Sequence, residues 1–127
     1  MPSRPLSPHL SVYKFKYTLT TSILNRFTGV ILSVGFLVLC YWLMAVAQGA
    51  AAQQRAQHLF SGAPMKLVYL ALIFAFAYHL LAGIRHLVWD TGRGLERSQS
   101  RASAWLIVVT SLALTLAIAW ALWGRTP

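Results

Sequence analysis

The sequence predicts an all-α integral membrane bundle of three transmembrane helices. Of its 127 residues, 57% are hydrophobic and only 10% are charged, and the mean hydropathy is +0.60. A soluble domain carries about 25% charged residues. A chain of this length has room for one small domain, which would expose much of its surface and need more charge in water. Surrounding lipid removes that need.

Three apolar blocks predict the three helices. Residues 27–47 and 102–123 include no charged residue, and none lies between Lys66 and Arg85. Each block is close to the ~20 residues that a helix needs to cross about 30 Å of hydrocarbon. Strand alternation is absent and three segments cannot close a barrel, so helices alone satisfy the backbone in lipid. We predict an N-terminal segment 1–21, helix 1 over 22–48, an outer loop 49–63, helix 2 over 64–89, a cytoplasmic loop 90–101 and helix 3 over 102–124.

The basic residues predict the orientation, because cytoplasmic segments of membrane proteins are enriched in Lys and Arg. Three of the 11 basic residues lie in the first loop or the tail: Arg55, Lys66 and Arg125. The other eight precede or open helix 1 or flank the second loop: Arg4, Lys14, Lys16, Arg26, Arg85, Arg93, Arg97 and Arg101. We therefore expect a cytoplasmic N-terminus and a C-terminus on the opposite side.

Charge, N-terminal composition and cysteine content argue against several other classes. The net charge of +9 is divided among short segments beside the helices, and no base-reading motif is present, so we expect no nucleic-acid partner. Residues 1–21 lack the apolar core of a signal peptide. Cys40 has no second cysteine to pair with and is interpreted as a packing residue.

His79 is the first candidate functional residue, because an ionisable group inside a membrane helix indicates function. It precedes Arg85 by six residues and so lies about 9 Å deeper in the membrane. A hydrogen bond across a helix interface explains it, and so does ligation of a metal or haem iron. Gly83 and His86 share its helix face. Gly83 either admits a flat group or packs on another helix, and His86 faces either a haem propionate or interfacial water.

A second cluster lies at the start of helix 1. Ser22 and Arg26 are one helical turn apart, with Asn25 between them. A hydroxyl and a guanidinium at the membrane boundary suit the carbonyl oxygens of a quinone. A helix cap and a snorkelling arginine also explain the pair, and the residues alone favour that explanation. Asp90 lies at a similar depth to Arg26 and is expected to pair with Arg26 or Arg93.

Three motifs occur in order along the chain and together indicate a family. They are residues 4–10 (RPLSPHL) with Tyr13-Lys14, then residues 22–26 (SILNR) with Thr28-Gly29, then the pattern H-x-x-x-G-x-R-H-x-x-x-D from His79 to Asp90. This series, which covers essentially the whole chain, resembles the cytochrome b large membrane-anchor subunit of succinate dehydrogenase.

The resemblance implies a role in respiratory complex II, between the tricarboxylic acid cycle and the aerobic respiratory chain. Such subunits lie in the bacterial inner membrane as multi-pass proteins and pair with a second small membrane subunit. They anchor a flavoprotein and an iron–sulfur subunit, share haem b with the second membrane subunit and form much of the ubiquinone site. Succinate oxidation belongs to the other subunits, and this sequence has neither a dinucleotide fingerprint nor a cysteine set for a cluster.

The resemblance also implies residue roles. His79 becomes the haem axial ligand, with the second ligand supplied by the partner membrane subunit, and Gly83 gives haem room to approach. The remaining assignments are His86 and Arg26 for the haem propionates, and Ser22, Arg26 and Asp90 for the quinone. Many relatives have histidine at the position of Asn25, whose amide cannot carry a proton or a positive charge.

Two alternative functions stay open at this point. The first is the anchor of a quinol:fumarate reductase, which runs the same chemistry backwards. The second is a structural helix-bundle anchor without haem. A transporter is disfavoured, because the sequence has no inverted repeat or broken helix.

Overall fold

Four helices make up the fold in the computed structural model, which describes residues 17–124. They are α1 (Tyr17–Ala47), α2 (Ala50–Phe60), α3 (Ala63–Asp90) and α4 (Arg97–Trp123). No strand occurs within residues 17–124, and the all-α class is confirmed. The first motif, at residues 4–14, and Arg125 lie outside the described residues.

Helices α1, α3 and α4 are long and apolar enough to cross a membrane. The candidate spans are Leu19–Ala47, Ala63–Asp90 and Arg97–Trp123. At 1.5 Å per residue, helices of this length reach roughly 40 Å, the thickness of a bilayer with its headgroups. The ends therefore extend past the hydrocarbon into polar surroundings. This explains why α1 and α4 begin five residues before the predicted positions 22 and 102.

Helix α3 packs against both α1 and α4, whereas α1 and α4 contact each other little. The buried residues at these interfaces are mostly small: Thr28, Ala75, Ala77, Ala82, Ala104, Ser111 and Thr115. Small side chains let helix backbones approach closely in lipid, where burial of large apolar groups gives no advantage. Most large apolar side chains accordingly remain exposed on the outside of the bundle.

The segment 49–63, predicted as the outer loop, contains the short helix α2. Gly49 makes the turn from α1 with a φ of +97°, a conformation that favours glycine. The Ala- and Gln-rich segment that follows has high helix propensity, and Ala52 and Ala56 pack on Ala45. The segment is too polar to stand out as an apolar block, so a search for apolar runs does not find it.

The start of α1, the end of α3 and the start of α4 lie at one end of the bundle. We call it the basic end, after Arg26, Arg85, Arg93, Arg97 and Arg101. Arg85 Nη2 donates to the Ser100 carbonyl at 2.8 Å and to its Oγ at 3.0 Å. These bonds tie the first turn of α4 to α3, which accounts for helix from residue 97 onward within the predicted loop 90–101.

Candidate functional site

His79 faces α1 from the middle of α3 and bonds to it through one ring nitrogen. Its Nδ1 lies 3.2 Å from the Asn25 carbonyl oxygen and 3.3 Å from Thr28 Oγ1. A carbonyl oxygen only accepts, so Nδ1 carries the proton of the neutral ring and Nε2 keeps the lone pair. Among residues 17–124, nothing hydrogen-bonds to Nε2. The ring thus makes a bond across a helix interface and still offers a nitrogen to a metal, so the two interpretations of His79 are compatible.

A groove runs along α1 beside the His79 ring. Its volume is about 580 Å³, and its other lining residues are Gly29, Leu32, Ser33, Phe36 and Leu37. A β-carbon at Gly29 would lie 3.2 Å from His79 Cε1, so glycine lets the ring approach the α1 backbone. The groove is almost entirely apolar apart from Ser33 and the imidazole, as a site for a large apolar group requires.

Gly83, predicted to give haem room to approach, has open space beside it. A β-carbon built at this position would meet no atom within 4 Å. Packing inside the described chain therefore does not require glycine here. The space on this part of α3 remains available to a group or a polypeptide outside the chain.

A second cavity, of about 440 Å³, lies between α1 and α3 at the basic end; we call it the α1–α3 cavity. It brings together three of the predicted site residues, Ser22, Arg26 and His86. Asp90 does not line it. The remaining lining residues are Thr21, Asn25, Tyr78, Ala82, Arg85 and Trp89. The wall therefore carries two arginines and no carboxylate, and it suits an electron-rich or anionic group.

The two arginines of the α1–α3 cavity differ in their surroundings. Arg85 is bonded to Ser100, and its guanidinium carbon lies 4.0 Å from the centre of the Trp89 ring, a cation–π contact. Arg26 is exposed and makes no hydrogen bond or ion pair within the described part of the chain. Its planar donor fork is therefore available to a ligand.

Asn25 contributes an unsatisfied acceptor to the same cavity. Its Oδ1 is buried and accepts no hydrogen bond from residues 17–124. Buried polar atoms are nearly always hydrogen-bonded, so this oxygen calls for a donor such as water or a hydroxyl group. A cavity with an unused acceptor and an unused guanidinium fits a ligand with both donor and acceptor oxygens.

Four residues around the two sites had no role assigned from the sequence, although Thr28 and Arg85 belong to its motifs: Thr28, Tyr78, Arg85 and Trp89. Tyr78 is 2% exposed, and its hydroxyl donates to the Thr21 carbonyl at 3.3 Å. A signal for three of them was present, because Tyr78, Ala82, Arg85 and Trp89 recur at intervals of four, three and four. This spacing places them on one helix face. Thr28 had no such signal, since a threonine in a membrane helix is usually satisfied by its own backbone.

Comparison with known proteins identifies the family. A family model described as the succinate dehydrogenase/fumarate reductase transmembrane subunit matches residues 1–118. The succinate dehydrogenase cytochrome b556 subunit of Rickettsia felis is 39% identical over 89% of this chain and 88% of its own length. That of Paracoccus denitrificans is 36% identical over 90% and 88%. The cytochrome b560 subunit of Bos taurus mitochondria is 34% identical over 92% and 70%. The chain therefore belongs to the family of succinate dehydrogenase/fumarate reductase transmembrane subunits.

Proposed function

We propose that this chain is the large membrane anchor of a succinate:ubiquinone oxidoreductase, that it binds haem b through His79, and that it forms part of the ubiquinone site. The observation that carries the proposal is the 3.2 Å contact between His79 Nδ1 and the Asn25 carbonyl oxygen, which calls for a proton on Nδ1 and leaves Nε2 available. Metal-bound histidines almost always donate their second N–H in this way, which fixes the ring and raises the basicity of the other nitrogen. A histidine with a purely structural role needs the Nδ1–H bond to the carbonyl but does not need an available Nε2.

Haem b would supply one-electron redox chemistry when bound, and the residues of this chain fit it. His79 would hold the haem iron through Nε2, beside an apolar groove. His58, in α2, and His86, at the basic end, lie elsewhere in the described chain, so we assign any second iron ligand to the partner membrane subunit. Arg26 and His86 are suited to the propionates, because both lie at the polar end of the α1–α3 interface.

The ubiquinone site is assigned to the α1–α3 cavity, with Ser22 and Arg26 as ligands. A quinone that gains electrons gathers negative charge on its oxygens, and a fixed guanidinium at the membrane boundary stabilises that charge. The serine hydroxyl lies one turn away and donates to a carbonyl oxygen. Because Asp90 does not line the cavity, it has no role in this assignment.

Succinate oxidation is assigned to a flavoprotein and an iron–sulfur subunit docked at the basic end. The positive-inside rule favours a cytoplasmic location for that end. We assign the chain to the bacterial inner membrane, which its bacterial relatives favour. Electrons from the docked subunits then reach the α1–α3 cavity without crossing the bilayer. The family model covers fumarate reductases too, but the three relatives described above are all named succinate dehydrogenase subunits, which favours the succinate-oxidising direction.

The His79 assignment is tested in the purified complex. We expect His79→Leu to remove the low-spin b-type bands from the reduced-minus-oxidised spectrum, since leucine cannot bind iron. The matched control is His58→Leu, in the exposed part of α2, which should keep the bands at full intensity. A normal low-spin spectrum in an assembled His79→Leu complex would refute the ligand assignment and favour an anchor in which His79 is structural.

A further inference from the structure

We infer that the Thr28 hydroxyl is a positioning group that fixes the His79 ring and tunes its basicity; this rests on the proposed role of His79 as a haem ligand. Thr28 is 1% exposed. Its Oγ1 donates to the Asn25 carbonyl at 2.9 Å and lies 3.3 Å from His79 Nδ1. A hydroxyl that only satisfied itself on its own helix would not need to lie against the ring.

The direction of the hydrogen bonds defines what the hydroxyl does. Its single proton is used on the Asn25 carbonyl, so toward His79 the oxygen can only accept. The Nδ1–H is therefore shared between two oxygens, one from the carbonyl and one from Thr28. A hydroxyl that is itself donating is polarised and becomes a better acceptor. Together the two oxygens exclude the other tautomer, which would place a lone pair against both of them.

Gly29 lets the His79 ring approach the backbone of α1. Because a β-carbon there would lie 3.2 Å from Cε1, the imidazole is in near contact with the helix backbone on that side. The ring is thus bounded by two oxygens at Nδ1 and by backbone at Cε1. Rotation of the His79 ring about its Cβ–Cγ bond is therefore restricted, and Nε2 is held in one direction.

A functional consequence follows from the electrostatics of the ring. Negative partial charge facing Nδ1–H raises the basicity of Nε2 and stabilises the ferric state of a bound haem more than the ferrous state. Removing the Thr28 oxygen takes away part of that charge. The reduced haem should then be favoured at any fixed ambient potential.

The test compares Thr28→Val, which keeps the shape and removes the oxygen, with Thr28→Ser, which keeps the oxygen. Visible spectra of the purified complex at a fixed ambient potential give the ratio of reduced to oxidised haem. A hydrogen bond worth about 1 kcal/mol predicts a rise of about two- to tenfold in Thr28→Val, with no change in Thr28→Ser. The matched control is Thr115→Val, because Thr115 is also buried but bonds only to the Ser111 carbonyl.

The possible results distinguish the role of Thr28 from the haem assignment of His79. An unchanged ratio in Thr28→Val, with haem lost from His79→Leu, would overturn the role of Thr28 and leave the haem assignment intact. A normal haem spectrum in His79→Leu would refute the haem assignment of His79 and, with it, the role of Thr28. Loss of haem from Thr28→Val alone, with retention in Thr28→Ser and Thr115→Val, supports the inference. Loss from both Thr28 variants overturns it, because the hydroxyl would then not be the determining group.

Discussion

Arg26 and Arg85 show how surroundings separate two residues of the same type. Both line the α1–α3 cavity, and both carry a permanent charge near the membrane boundary. The Arg85 fork is committed to the first turn of α4 and its face to an indole ring. Losing it would loosen the helix packing. The Arg26 fork has no partner among residues 17–124, so losing it should affect a ligand and leave the fold intact.

We therefore predict that Arg26→Leu slows succinate-driven quinone reduction by about ten- to a hundredfold, since a charged hydrogen bond is worth roughly 1.5–3 kcal/mol. Electron transfer to an artificial acceptor that takes electrons directly from the soluble subunits should be nearly unchanged. Arg26→Lys should restore part of the rate, because it keeps the charge and loses the planar fork. Arg55→Leu, in α2, is the control. A wild-type rate in assembled Arg26→Leu would leave Arg26 as a snorkelling interface residue.

At the scale of the helices, apolar runs predict the membrane spans but not where helices end. Charge-free stretches locate the cores of α1, α3 and α4, because a charge in hydrocarbon is costly. Helix ends and α2 are decided by groups that hydropathy does not weigh. Arg85 stabilises the start of α4 by a bond across 15 residues, and Gly49 makes the turn into α2 with its positive φ. Such long-range and backbone effects have no signature in a hydropathy profile.

The same distinction applies to the site residues: spacing along one helix predicts some of them, and contacts between helices decide the others. Periodicity on one helix places Gly83 and His86 on the His79 face, and it places Ser22 beside Arg26. It cannot say which residue of another helix lies opposite. Thr28 meets His79 across 51 residues of sequence, and this pairing depends on the rotation and depth of α1 against α3. Only the packing of the two helices reveals it.

Gly35 lies against the Leu72 side chain where α1 packs on α3. A β-carbon there would clash with the Leu72 side chain of α3. We predict that Gly35→Leu destabilises the complex by about 1–3 kcal/mol, the usual cost of overpacking, and lowers its melting temperature. Val34→Leu is the control, because Val34 is exposed on the outer face of the same helix. Equal melting temperatures for the two variants would contradict this account of the interface.

On the scale of the whole molecule, the proposed haem site is open on one side. The Nε2 of His79 has no partner within residues 17–124, the groove beside it is open, and most large apolar side chains are exposed. In the proposed complex, a second membrane subunit would cover this surface and supply a second ligand to the haem. The α1–α3 cavity lies at the basic end, nearer the aqueous boundary. The proposed electron path is therefore short only if the soluble subunits dock at that end.

The orientation of the bundle is the condition on which this arrangement depends. Eight of the 11 basic residues precede or open the first span or flank the second loop, and basic segments stay in the cytoplasm. A reporter inserted at Gly92, in the exposed turn between α3 and α4, should be cytoplasmic. A reporter fused after Pro127 should lie on the opposite side, since three spans separate it from the N-terminus. Labelling each site from one side of intact cells distinguishes the two positions. Reversed labels would put the basic end outside, where neither the soluble subunits nor cytoplasmic protons could reach the α1–α3 cavity.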